Sequence, residues 1–388
     1  MVDTFVNPHT LKPDIYARMG LPTLINGSGA ATLVGGTLMR SETVAAMAEA
    51  SRAFVVLEDL NAKVGEKIAE VTGAEAGCVT AGSCAAMALA AAACIAGIDP
   101  EFIARLPDST GMRNEIVIHR AHRLGYDQMY RVGGAKMVEI GVPYATERWE
   151  LERAITDRTA AVAYHDSRNT GTGALDFETV IEVAHSRGIP VIVDSASTLP
   201  PIDHLRCWIR WGADLVIYSG GKGIRGPQDS GLLAGRADLI EAARRNGSPH
   251  AAVGRGMKVS KEAMVGLWTA LDLFLQTDHE ADYVVHKSQL EFLAESMSKR
   301  ADVRFHAETD WEAWPAPIIR IWPKSKTWNP QAVRSELLTH DPIVHINVEH
   351  GGLMINTHCL QPGEIEVVVS SLNAALDAAT ADCHVPNQ

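Results

Sequence analysis

Tyr218-Ser219-Gly220-Gly221-Lys222-Gly223-Ile224-Arg225-Gly226-Pro227-Gln228 is the stretch that decides the fold of this 388-residue chain. The residues before it, 214–218, read as a buried strand, and a second apolar run, 231–234, follows. Glycine supplies φ > 0 and close backbone approach, so the turn between the two runs can fold tightly around a ligand. One lysine sits inside this cage. A surface lysine needs no such turn, and most lysines are of that kind. A Schiff-base lysine needs a polar, partly desolvated pocket that lowers its pKa, with room for a flat cofactor. The turn alone leaves both readings open.

Upstream stands Pro190-Val191-Ile192-Val193-Asp194-Ser195-Ala196. Apolar residues ending in an aspartate read as a central parallel strand with Asp194 at its carboxyl end, where ligands sit in open α/β sheets. A carboxylate there can keep a pyridine nitrogen protonated, and the small Ala196 leaves room for a ring. A strand ending in Asp followed by a strand ending in Ser-x-x-Lys is the arrangement of pyridoxal phosphate (PLP) enzymes with the aspartate-aminotransferase fold.

Ser219-Gly220-Gly221-Lys222 with Gly226-Pro227-Gln228 resembles the lysine loop of the bacterial selenocysteine synthase (L-seryl-tRNA(Sec) selenium transferase) superfamily, above all its D-glucosaminate-6-phosphate ammonia-lyase branch. Ile25-Asn26-Gly27-Ser28-Gly29, residues 117–141, and Gly254-Arg255-Gly256-Met257-Lys258-Val259-Ser260-Lys261-Glu262 also match, so the resemblance covers about residues 20–370. It implies a fold-type-I PLP enzyme: a large α/β domain with a mostly parallel sheet, and a small carboxyl-terminal α/β domain. Lys222 would anchor the cofactor and act as the Cα base, with Asp194 on the ring nitrogen. The implied reaction is α,β-elimination from a small amino acid or amino-sugar acid, giving a 2-keto acid and ammonia. A racemase or epimerase, or an aldolase, would use the same carbanion. A non-catalytic binding protein on the same fold would be expected to have lost Lys222 or Asp194, and both are present.

Other site expectations follow the chain. The turn Ala81-Gly82-Ser83 opens an alanine-rich helix over 84–96. Free amides and the helix dipole make Gly82, Ser83 and Cys84 the expected phosphate site, although Ser83 would cap the helix in either case. His119-Arg120-Ala121-His122-Arg123 ends a short strand over 115–119. By resemblance His122 stacks on the cofactor ring, with His119 as the alternative. A metal held by these two histidines has no acidic or cysteine partner at suitable spacing, and no metal is expected. Arg120 can face the substrate or water. Asn169, in the polar loop 165–173, can bond cofactor or substrate, or serve only as turn chemistry. Arg255 suits a carboxylate or phosphate. Ala196, Ser219 and Gly226 complete the cofactor set, and Gly226 is expected to reach a neighbouring subunit's phosphate. After the last small-domain strand the family carries an arginine, whereas this chain reads Ile355-Asn356-Thr357-His358-Cys359. Carboxylate recognition there falls to His358, or passes to Arg320 or Arg255.

A net charge of −12 argues against a nucleic-acid partner, which needs a basic footprint. The six cysteines, Cys78, Cys84, Cys94, Cys207, Cys359 and Cys383, lack metal-ligand spacing and read as free thiols in a reducing compartment. Residues 1–20 lack the apolar core of a signal peptide, and the longest apolar run, 85–97, is too short to span a bilayer. A cytoplasmic homodimer or larger homo-oligomer is expected. Gly27-Ser28-Gly29-Ala30-Ala31-Thr32 lacks the third glycine of a dinucleotide fingerprint, which sets aside a nicotinamide enzyme. The expected organisation is an arm over 1–24, a large cofactor domain over 25–258, a linking helix over 259–300 and a small domain over 301–388.

Overall fold

Strands of valine, isoleucine and alanine set the centre of the molecule, which a computed structural model describes over residues 14–166, 171–310 and 316–382. β1 (Leu24–Asn26) precedes seven strands: β2 (Ala76–Thr80), β3 (Glu115–His119), β4 (Lys136–Ile140), β5 (Thr159–His165), β6 (Val191–Asp194), β7 (Leu215–Ser219) and β8 (Gly231–Gly235). These seven form one sheet in the order β2-β8-β7-β6-β5-β3-β4. β7, β6, β5, β3 and β4 run parallel, while β8 is antiparallel to both β7 and β2.

Successive side chains on a strand face opposite ways, and the core divides accordingly. Val117, Val162, Val191, Val193 and Val216 pack on one face, with residues of the helices Leu57–Thr72 and Lys261–Gln276. Ile116, Ile118, Ala161, Ala163, Ile192 and Ile217 pack on the other, against the helix Gly82–Ala96. That helix is apolar all round and is accordingly buried all round. β2 lies at the sheet edge, where Asn61 stands in for a missing strand. Its side-chain amide donates to Val79 O (3.1 Å) and its carbonyl accepts from Val79 N–H (2.9 Å).

Parallel register gathers the functional strand ends. His165 is level with Asp194, and Ser219 and Thr80 are both level with Gly231. The carboxyl ends of β2, β3, β5, β6 and β7 therefore share one edge, the ligand edge of an open α/β sheet.

The chain divides into two compact units, one of residues 37–277 and one built from residues through 36 and from 278 onward. The second unit contains β9 (Val303–Glu308), β10 (Ile318–Pro323), β11 (Ile343–His345), β12 (Asn347–Glu349) and β13 (Gly352–Asn356). Four of them form an antiparallel sheet, β12-β13-β10-β9, while β11 pairs in parallel with β1. Helices His279–Ser298, Pro330–Leu337 and Glu364–Asp382 complete it.

Several expected boundaries differ. Residues 25–36 belong with the carboxyl-terminal unit because β1 pairs with β11. The stretch expected from 261 to about 299 as one long helix or a pair is a pair, broken where Asp278 caps the second by accepting the Ala281 N–H (3.0 Å). Between β3 and β4 the chain forms two 3-10 turns and the short helix Gln128–Val132 rather than one continuous helix. Extended backbone at Arg123 and Leu124 interrupts it, and Asp127 accepts the Leu124 N–H (3.2 Å). Residues 343–349 form two strands, β11 and β12, which join different sheets.

Candidate active site

Because β7 and β8 are antiparallel neighbours, the lysine turn is the connection between them, and backbone bonds pin it. Gly220 N–H donates to Ser230 O (2.9 Å), Gly226 N–H to Gly220 O (2.8 Å) and Arg225 N–H to Lys222 O (2.9 Å). Thr37 reaches in from an earlier segment: its N–H donates to Gly221 O (3.2 Å), and its hydroxyl lies within bonding distance of Gly221 O (3.1 Å) and Lys222 O (2.9 Å). Close approach accounts for the glycines. A Cβ on Gly221 would stand 2.4 Å from Gln228 Cα, and one on Gly223 would stand 2.1 Å from Leu199 O.

Lys222 lies within electrostatic reach of Asp194 and Cys84. Burial pulls its amine below the usual lysine range, opposed by those two groups. A lowered pKa raises the neutral fraction near pH 7, the form that can attack a carbonyl or accept a proton. Asp194, at the end of β6, is 4% exposed. Its Oδ1 accepts the Ala196 N–H (3.1 Å), and its Oδ2 is 3.0 Å from His165 Nδ1. The carboxylate is thus oriented from two sides. Sequence reasoning missed both His165 and Thr37. His165 carries a usable signal, since parallel strand ends at neighbouring sheet positions come into register.

His122 is buried beside His165. Its Nδ1 accepts the His165 N–H (3.3 Å), its ring meets Tyr164 edge-on at 4.5 Å, and burial pushes its pKa down to about 3. A cavity of about 10 Å³ is lined by His122, Tyr130, His165 and Asp194 among others. At the end of β2, Gly82 has φ 74° and opens the helix Gly82–Ala96, whose first N–H groups have no partner within the helix. Burial raises the Cys84 thiol pKa, so the group stays protonated.

His119 is fully buried and neither ring nitrogen has a hydrogen-bond partner. Burial lowers its pKa from 6.5 to about 4. Between those values the unfolded chain binds a proton that the folded chain does not, so stability is lost as pH falls through that window. His119→Phe should therefore unfold at an equal or higher temperature at pH 7. Its unfolding temperature should also fall less steeply from pH 6.5 to pH 4. Thermal unfolding against pH checks this, and an unchanged acid slope refutes it.

Four other expected residues have partners of their own. Arg120 is exposed and paired with Glu139 (3.0 Å). Arg255 is exposed, and its guanidinium donates to Ser248 Oγ (3.4 Å). His358 belongs to the smaller unit, where its N–H donates to Asn356 Oδ1 (2.8 Å) and its ring lies 5.6 Å from His286. Arg320 pairs with Glu308. Asn169 lies outside the described residues. Among the described residues no group of three His, Cys, Asp or Glu side chains is placed to hold a metal.

The SelA family, L-seryl-tRNA selenium transferase, matches residues 24–310. The chain belongs to this family. A D-glucosaminate-6-phosphate ammonia lyase from Salmonella typhimurium is 33% identical over 380 residues, covering 95% of this chain and 100% of that protein. A 5'-C-glycyluridine monooxygenase-decarboxylase from a Streptomyces species is 30% identical over 386 residues, covering 96% and 94%. The solved structure of D-glucosaminate-6-phosphate ammonia-lyase superposes with a TM-score of 0.82 over 95% of this chain and 99% of that one. The fold of this SelA-family chain is PLP fold type I, as in the Escherichia coli cysteine desulfurase CsdA (17% identical, TM-score 0.60) and a structure of SPT with PLP (14%, 0.60).

Proposed function

We propose that the protein is a PLP-dependent ammonia-lyase that releases ammonia from an amino-sugar acid by α,β-elimination. The observation that carries this reading is Lys222, held with a lowered pKa beside Asp194 at the carboxyl ends of β6 and β7. Full-length similarity to D-glucosaminate-6-phosphate ammonia lyase supports the reaction class.

The residues fit the cofactor. The turn has no room for side chains at Gly221 or Gly223, the lysine is partly desolvated, and a fixed carboxylate lies within its reach. PLP, when bound, supplies an electron sink that makes the Cα–H of an amino acid acidic. Lys222 would be its covalent anchor, and its neutral Nζ would take the Cα proton. Asp194 would hold the ring nitrogen, with His165 orienting the carboxylate, and Ala196 and His122 would line the ring site. The amides of Gly82, Ser83 and Cys84 would hold the phosphate, with Ser219 and Gly226 completing the cofactor set. Return of the proton to a Cβ hydroxyl lets it leave as water, and hydrolysis of the resulting enamine yields a 2-keto acid and ammonia. Arg255 and His358 are the proposed contacts for the substrate carboxylate, and Arg120 and Asn169 are further substrate-side proposals.

A homo-oligomer is the proposed active form. Phe54, Val55 and Val56 are exposed side by side in the larger unit, an apolar run suited to a second copy of the chain. Cys78, Cys84, Cys94 and Cys207 are free thiols, and no described helix is long and apolar enough to cross a membrane. The proposed location is the cytoplasm.

Absorbance of the purified protein after incubation with PLP, followed by ammonia release from D-glucosaminate 6-phosphate and a panel of β-hydroxy amino acids, tests the reading. A visible cofactor band and ammonia release are expected. A colourless protein overturns the PLP assignment, and optical inversion without ammonia overturns elimination.

A further inference from the structure

A set of buried polar side chains lies across β6 from Asp194. Successive side chains on a strand face opposite ways, so Ser195 turns away from Asp194 to the face where Val193, Trp208 and Tyr218 pack. Ser195 and Tyr218 are fully buried, and Thr198 and Trp208 are 8% exposed. Asp166, the residue after β5, reaches this face, and its Oδ2 accepts from Ser195 Oγ (3.2 Å). Ser195 Oγ also accepts the Trp208 Nε1–H (3.1 Å) and lies 2.6 Å from Thr198 Oγ1. As a carboxylate Asp166 can only accept, so it takes the one Ser195 hydroxyl proton. Thr198 must then donate across the 2.6 Å contact, and both Ser195 lone pairs are filled. Burial raises the Asp166 pKa, and the Ser195 bond opposes that rise most strongly. One carboxylate thus sets the direction of the hydroxyl bonds.

The cluster meets both halves of the site. Ser195 stands between Asp194 and Ala196, whose N–H donates to Asp194 Oδ1. From Thr198 the bonds continue: His204 Nδ1 is 2.9 Å from Thr198 O, and the Tyr218 hydroxyl donates to His204 O (2.8 Å). Tyr218 belongs to β7, the strand that leads into the Lys222 turn. The carbonyl after Thr198 is Leu199 O, the atom that leaves no room for a Cβ on Gly223. The segment after Asp194 is therefore tied to the lysine strand by hydrogen bonds and to the lysine turn by direct packing.

We infer that Asp166 is a positioning residue that sets where Asp194 and Lys222 stand relative to each other, acting through Ser195 and Thr198. This rests on the proposal above that both residues serve one PLP. Without the carboxylate, the Ser195 and Thr198 protons compete for one 2.6 Å contact, and the segment that abuts the lysine turn loses its fixed geometry. Reaction rates are sensitive to such shifts, since a misplacement of about 1 Å can cost about 100-fold.

The test compares PLP-loaded wild type, Asp166→Ala, Asp166→Asn, Ser195→Ala and the double variant Asp166→Ala/Ser195→Ala. It reads kcat and KM for ammonia release, visible circular dichroism of the cofactor band, which reports ring orientation, and thermal unfolding. Asp166→Ala should lower kcat by about 10- to 100-fold with little change in KM, and should alter the dichroism. Asp166→Asn, whose carbonyl still accepts from Ser195, should recover most of both. Ser195→Ala should resemble Asp166→Ala, and the double variant should be no worse than either, because the two residues act through one bond. Wild-type kcat and dichroism in Asp166→Ala, at whatever unfolding temperature, overturn the inference, and so do additive losses in the double variant. If Asp166→Ala does not fold, Ser195→Ala decides, and wild-type values there overturn it as well. A wild type with the cofactor band but no ammonia release removes elimination, and the dichroism then decides on Asp166. A wild type without the band sinks the underlying reading and this inference with it.

Discussion

Lys222→Ala is expected to lower ammonia release by about 10⁴-fold or more while leaving the protein folded. The variant loses both the covalent anchor and the group that moves the Cα proton. Positioned acid–base catalysis alone is worth about 10²–10⁴, and the covalent contribution adds to it. Stability should move the other way. The turn is held by backbone bonds among Gly220, Lys222, Arg225, Gly226 and Ser230, and by Thr37, none of which uses the lysine side chain. Replacing a desolvated amine with a methyl group removes a group whose charge is disfavoured there. The unfolding temperature should therefore hold or rise. Steady-state kinetics, thermal unfolding and borohydride trapping followed by mass measurement check the three parts. A variant that keeps more than about a hundredth of wild-type turnover would remove Lys222 from the chemistry.

Asp194→Asn should lower kcat by about 10²–10³, the usual range for losing a fixed electrostatic partner of the developing charge. The substitution preserves size and can still accept the Ala196 N–H at Oδ1, so fold and cofactor loading should survive. The negative charge that holds a proton on the ring nitrogen is lost. His165→Gln should show the same direction with a smaller effect, because His165 only orients the carboxylate through its 3.0 Å contact. Kinetics run with the absorbance spectrum separate loss of turnover from loss of cofactor. Full turnover by Asp194→Asn would contradict the assignment, whereas an empty variant would show that the aspartate is needed for loading.

The parts of this site that could be read from sequence are those written in consecutive residues. Asp194 ends a run buried on both faces, and Lys222 sits in a turn whose glycines answer to contacts with Gln228 and Leu199 nearby in the chain. What sequence reasoning did not reach depends on pairing between distant segments. His165 meets Asp194 only through the register of β5 against β6, and Thr37 meets Lys222 across 185 positions. No continuous helix spans 122–131 because Arg123 and Leu124 are extended, and Asp127 caps a new turn there by accepting the Leu124 N–H. The misplaced boundary at residue 25 comes from β1, three residues that carry no periodic signal and find their partner near the other end of the chain.

That pairing sets an order of assembly on the ribosome. Synthesis runs from the amino terminus and domains generally fold as they emerge. Residues 24–26 leave the exit tunnel before the larger unit, yet their partners 343–345 come only after all of it. The unit of residues 37–277 has its whole sequence available long before then and can shape the lysine turn while both flanks are still unpaired. The smaller unit closes after it, by a contact of long sequence separation, the kind that forms slowly. A nascent chain stalled before residue 343 would therefore present a finished cofactor sheet and an orphaned strand β1, a species for chaperones to guard until residues 343–345 arrive.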